Sequence, residues 1–103
     1  MSSFIKKKIT IRNLQGLHAR PASIFVRIAN KFESEILVKK DDEIVSGKSI
    51  MGLLTLAANQ GTELEVEISG NDAEAAMKAL EEFLTGEDDG KTPPPAAPRK
   101  DVS

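Results

Sequence analysis

The 103-residue chain has no cysteine, no tryptophan and no tyrosine, and its only histidine is His18. No disulfide can form within it, and one chain cannot assemble a zinc site from cysteine and histidine ligands. The lack of cysteine fits a reducing compartment. Long apolar runs are missing as well. Stretches such as Ile50-Met51-Gly52-Leu53-Leu54 fall far short of the ~20 residues a membrane-spanning helix needs, and no apolar signal-peptide core follows the start. These absences lead to the expectation of a soluble, cytoplasmic protein with no membrane insertion. A chain of this length buries about 60–70% of its unfolded surface, enough for one modest core.

The net charge of −2 conceals an uneven distribution. Residues 1–48 carry ten Lys/Arg against five Asp/Glu, residues 49–90 carry one against ten, and residues 91–103 carry three against one. A basic front half around the sole histidine suggests a face that meets something acidic. Four of the five prolines lie in residues 91–103, which offer no periodic apolar face. We therefore expect a folded domain over residues 1–88 and a disordered, proline-rich tail over 89–103.

Within the domain the hydrophobic period alternates between two and 3.6, which separates strands from helices. Phe4 to Arg12 predicts a strand, with Ile5, Ile9 and Ile11 at even spacing. Ala22, Phe25, Ile28, Ala29 and Phe32 recur at three and four, predicting an amphipathic helix over 19–31. Ile36 and Val38, then Ile44 and Ser46, flank the turn Asp41-Asp42 and predict a hairpin. Ser49 is placed to cap a short helix through about Leu54. Leu64, Val66 and Ile68 alternate with Glu63, Glu65 and Glu67, predicting a half-buried strand with an acidic outer face. Asn71, three residues before Glu74, marks the start of a last helix with Ala73, Ala76, Met77, Leu80, Phe83 and Leu84 on one stripe, and Gly86 closes it. This order specifies an α+β domain: an antiparallel sheet with helices on one face.

Neither a dinucleotide-binding Gly-x-Gly-x-x-Gly nor a P-loop occurs. What carries chemistry is Gly16-Leu17-His18-Ala19-Arg20-Pro21-Ala22. Gly16 permits a sharp turn, and Pro21 falls in the first helical turn, where its missing N–H costs nothing. His18 is thereby placed at a helix N-terminus, where backbone N–H groups and the positive end of the dipole attract anions. Arg20 adds a guanidinium fork suited to phosphate oxygens. A transient phosphoryl-histidine needs this set: a ring nitrogen to attack and donors to hold the incoming charge.

The same residues resemble the active-site signature of the HPr family, histidine-containing phosphocarriers of the bacterial phosphoenolpyruvate-dependent phosphotransferase system. A second stretch, Ser46-Gly47-Lys48-Ser49-Ile50-Met51-Gly52-Leu53-Leu54-Thr55-Leu56-Ala57, resembles that family's regulatory-serine region. The resemblance spans residues 4–86. It implies an open-faced β-sandwich, a four-stranded antiparallel sheet covered on one face by three helices. By the same resemblance His18 accepts a phosphoryl group through Nδ1 from enzyme I and passes it to a IIA-type protein, with Arg20 contacting the group. Ser49 matches the serine modified by HPr kinase/phosphorylase. The resemblance places Ala19, Ser23, Ile24, Arg27, Lys48, Ile50 and Met51 on the partner-binding face, although Ile50 fits a core position equally well. It implies a monomeric carrier rather than an enzyme, with no cofactor, no metal and no nucleic acid.

The acidic ending Phe83-Leu84-Thr85-Gly86-Glu87-Asp88-Asp89 resembles the nitrogen-branch relative NPr, so the alternatives are a regulatory phosphocarrier not coupled to sugar uptake, or a relative acting mainly through phospho-Ser49. An RNA-recognition module shares the element order. It is disfavoured because no aromatic occupies the middle of a strand and the clearest strand is acidic.

Overall fold

The computed structural model describes residues 3–12 and 16–86. Seven elements follow one another: β1 (Ser3–Thr10), α1 (Ala19–Ala29), β2 (Glu35–Lys40), β3 (Glu43–Ser46), α2 (Ile50–Thr55), β4 (Glu63–Gly70) and α3 (Ala73–Thr85). The strands form one sheet in the order β1-β4-β2-β3, with every pairing antiparallel. The three helices cover one side of it, which is the open-faced sandwich expected above.

The alternation in β4 decides this arrangement. Leu64, Val66 and Ile68 are fully buried, and the register sets Leu64 opposite Ile9, Val66 opposite Val38, and Ile68 opposite both Ile5 and Ile36. A slip of one residue would turn this apolar row outward, so burial fixes the register. On the other face the same register pairs Lys6 with Glu67, and Glu65 with both Lys8 and Lys39. Charges on the open face are therefore matched across strands. Ala22, Phe25 and Ala29 from α1, Leu53 from α2, and Ala76, Leu80 and Leu84 from α3 close the core from above. Phe25 and Phe83 meet edge to face with ring centroids 6.4 Å apart.

Four details differ from the sequence expectation. First, α1 stops at Ala29 rather than 31: Lys31 N–H donates to Ile28 O at 3.0 Å and Phe32 N–H to Ala29 O at 3.1 Å, a tightened final turn. Second, in β3 it is Val45, opposite Val38, that packs against the core, while Ile44 is 59% exposed. Third, β1 ends at Thr10 rather than Arg12, whereas Gly86 closes α3 as expected, in an extended conformation at φ −70°.

Fourth, α3 starts after Asp72, not Asn71, and the Asp72 side chain caps nothing in its own helix. Its carboxylate accepts hydrogen bonds from Glu33 N–H at 2.9 Å, Ser34 N–H at 3.0 Å and the Ser34 hydroxyl at 2.5 Å. Ser34 is buried, and Gly70 packs so closely on it that a Cβ there would collide with the hydroxyl. The turn before β2 is thereby clipped to the start of α3. Residues 89–103, expected to form a separate tail, lie outside the described residues.

Candidate functional site

The turn into α1 is built by anchoring its neighbours. Ile11 N–H donates to Thr62 O at 2.9 Å, Gly61 N–H to Ile11 O at 2.8 Å, and Leu17 N–H to Ala58 O at 2.8 Å. The chain on either side of residues 13–15 is thus laced to the segment that precedes β4. Gly16 has φ +65°, and a Cβ there would lie 2.5 Å from Ala58 O and 2.8 Å from Asn59 Cα. Only glycine meets both demands. Leu17, Pro21 and Ala22 are buried. These apolar members of the motif hold the turn while its polar members face outward.

His18 is the N-cap of α1, with an extended backbone at φ −87°, ψ −165°; its carbonyl accepts from Ala22 N–H at 2.8 Å. Its side chain makes no capping bond and is exposed, as is Arg20. Among the described residues neither side chain has a hydrogen-bond or ion-pair partner. The first turn of α1 holds no acid, so its N–H groups and dipole remain available to an anion. Ala19 and Arg27 are exposed, and Ser23 and Ile24 are half-buried along the same helix. Arg27 also lies in the last turn, where a cation complements the dipole.

The second motif lies on α2, which packs against α1. Ser49 caps α2, its hydroxyl oxygen accepting from Gly52 N–H at 3.0 Å, as the sequence predicts. Ile50 and Met51 are 40% and 71% exposed, which resolves the ambiguity over Ile50 in favour of the surface. Lys48 is occupied rather than free: its ammonium donates to Phe32 O at 2.7 Å, bracing the end of α1.

Residues 1–32 and 44–62 contain no aspartate or glutamate at all, so neither α1 nor α2 carries an acid. The ion pairs among the described residues, Lys6–Glu65, Lys39–Glu65 and Lys7–Glu81, all lie on the strands and α3. The sequence reading missed Asp72. Its carboxyl is held below the ordinary value of 3.8, first by the Ser34 hydroxyl and then by Glu33 N–H. An aspartate beside a predicted helix start was the one visible signal, and partners 38 and 39 residues away gave none.

An open-faced sandwich with an exposed histidine at a helix N-terminus whose first turn holds no acid leaves room there for an anionic group, and comparison with known proteins gives the class. Residues 5–86 match the family described as "PTS HPr component phosphorylation site". The chain is similar to the phosphocarrier protein HPr of Neisseria meningitidis, 48% identical over 80% of this chain and 92% of the relative. It is similar in structure to HPr from Bacillus anthracis, with a TM-score of 0.77 and 38% identity, covering 80% of this chain and 98% of that one. The Bacillus subtilis catabolite-repression protein Crh, described as a domain-swapped dimer, is similar in structure with a TM-score of 0.64 at 40% identity, covering 78% of this chain and 92% of that one. The chain belongs to the HPr family of phosphocarriers.

Proposed function

We infer that the chain carries a phosphoryl group on His18 between phospho-enzyme I and a IIA-type protein. The observation that carries this reading is His18 itself: an exposed imidazole at the uncapped start of α1, with Arg20 in the same turn and no acid on the helix. In transfer, His18 Nδ1 attacks the phosphorus held by a histidine of enzyme I. A new P–N bond forms as the donor's P–N bond breaks, and the electron pair returns to the donor ring. First-turn N–H groups and the Arg20 guanidinium then balance the charge on the phosphoryl oxygens. The protein supplies position and electrostatics, acting as a cytoplasmic monomeric carrier without turning over a substrate of its own.

The test uses enzyme I and labelled phosphoenolpyruvate. Acid-labile, alkali-stable label that is lost in His18→Ala supports the reading, and absence of label from a competent enzyme I sinks it. Transfer assays against sugar-branch and nitrogen-branch IIA proteins decide the branch. Docking uses Ala19, Ser23, Ile24, Arg27, Ile50 and Met51, with Lys48 behind them. An adaptable Met among exposed aliphatics suits a carrier that fits several partners in turn.

Ser49 is the proposed regulatory site. A phosphate there would place about −1.5 to −2 charge on an acid-free surface and oppose acidic partners. Acid-stable label from ATP with HPr kinase/phosphorylase, abolished in Ser49→Ala, is the expected result; label persisting in that variant refutes the assignment.

A further inference from the structure

We propose that Lys40 is a positioning residue for His18: by holding the carbonyl of Leu56 it keeps Ala57 in the left-handed conformation from which Ala58 O anchors the turn into α1. The proposal rests on the reading of His18 as the phosphoryl acceptor and adds a residue of the sheet to it.

Two locked pieces of chain meet at the end of α2. Upstream, the helix satisfies its own carbonyls: Gly52 O accepts from the Thr55 hydroxyl at 2.6 Å, and Leu53 O and Leu54 O accept from the N–H groups of Leu56 and Ala57, both at 3.2 Å. Downstream, Asn59 N–H donates to Thr62 Oγ1 at 3.1 Å, Thr62 N–H to Asn59 O at 3.0 Å, and Gly61 N–H to Ile11 O at 2.8 Å. Ala57 is the joint between them, at φ +52°. This is the left-handed region, which alanine occupies only against the crowding of its Cβ. Contacts around it must therefore hold it there.

Lys40 makes the contact placed to do so. The last turn of α2 has no basic residue of its own. The cation that complements its dipole comes from the final residue of β2, where Lys40 Nζ donates to Leu56 O at 2.9 Å. Leu56 O belongs to the peptide plane whose orientation sets φ of Ala57. Acids are at hand for this ammonium, since Asp41 and Asp42 follow it and Glu43 lies opposite it in the register. It pairs with none of them: the ion pairs among the described residues are made by Lys6, Lys7 and Lys39. One residue beyond the joint, Ala58 O accepts from Leu17 N–H at 2.8 Å and lies against Gly16. Leu17 precedes His18, so a tilt at Ala57 shifts the carbonyl that anchors the N-cap of α1.

Lys40→Met keeps the aliphatic stem and removes the donor. In single-turnover transfer from phospho-enzyme I it should lower the maximal rate about three- to tenfold and leave the half-saturating concentration unchanged. The loss should persist at about 0.5 M salt, where the screening length falls well below 10 Å. The amide of Leu17 should exchange with solvent about two- to fivefold faster. Lys40→Arg, which retains a donor, should restore both rates. Ala57→Gly in the Lys40→Met background should restore them too, because glycine occupies the left-handed region without a clamp. A raised half-saturating concentration with an unchanged maximal rate overturns the proposal, the lysine then acting on docking. Exchange that quickens equally at Leu17 and at the core amides of Ile68 and Leu80 overturns it in favour of a role in the fold at large. A transfer rate that Ala57→Gly leaves low overturns it as well, since the effect then bypasses the joint. Absence of label from the parent and every variant refutes the transfer reading alone, because Leu17 exchange is measured without enzyme I.

Discussion

The starts of α1 and α3 are built from opposite uses of charge. At α3 an aspartate occupies the N-cap, and its carboxylate is committed to Glu33 and Ser34, three hydrogen bonds that join distant parts of the chain. At α1 the N-cap is His18, whose side chain binds nothing among the described residues, in a turn without acid. One helix terminus is closed by a fixed anion and serves the fold. The other is left open, with its dipole unanswered, and that is what a site for a transient anion requires.

Exchanging the two residues' fates should break the comparison most sharply at His18. His18→Ala is expected to remove all label from phosphoenolpyruvate while leaving the thermal midpoint within experimental scatter, since the side chain is exposed and caps nothing. A midpoint that drops substantially in this variant would show that the histidine also serves the fold. Arg20→Ala is expected to slow transfer by about 10²-fold, the loss typical of one donor to developing charge, again with the midpoint retained. Stopped-flow transfer from phospho-enzyme I measures it, and a loss below about threefold would take Arg20 out of the site.

At α3 the expectation reverses: stability moves and transfer does not. Because the Asp72 carboxyl in the folded protein titrates below 3.8, the unfolded state takes up the proton first as the pH falls. The stability this group contributes is therefore fully present above about pH 4 and is lost as the pH drops through the lower folded value. Asp72→Asn should lower the thermal midpoint at neutral pH and flatten the acid limb of a midpoint-against-pH curve. An unchanged acid limb would mean that the Glu33–Ser34 clip does not hold in solution.

How much of this was legible in the sequence depends on the range of the interaction that decides it. The turn at Gly16, the Ser49 cap and the alternation of Leu64, Val66 and Ile68 are local patterns, and each is found where the spacing puts it. The choice between Ile44 and Val45 could not be made locally, because a four-residue strand with two adjacent aliphatics has no decisive period. Pairing with Val38 makes it. The carboxylate contacts of Asp72 and the ammonium contact of Lys48 could not be foreseen for the same reason, since their partners Ser34 and Phe32 are 38 and 16 residues away. Their side chains are of types common at surfaces, and nothing nearby marks them as bound. The candidate histidine was visible because its neighbours Gly16 and Pro21 shape the turn and Arg20 adds a cation from within the motif.

The smallest effect separates the two roles of charge at a third helix start. Ser49→Ala removes one capping hydrogen bond, from Gly52 N–H, and should cost about 1 kcal/mol, roughly 4–8 °C of thermal midpoint for a domain of this size. Transfer to His18 should be unchanged. Ser49→Asp keeps an acceptor for Gly52 N–H, so its midpoint should stay near that of the parent, yet it sets a fixed anion on the acid-free surface and should slow uptake of label from enzyme I, more at low salt than at high. If the alanine variant slows transfer as much as the aspartate, the effect travels through the helix rather than through charge. Electrostatic regulation at Ser49 would then give way to a structural one.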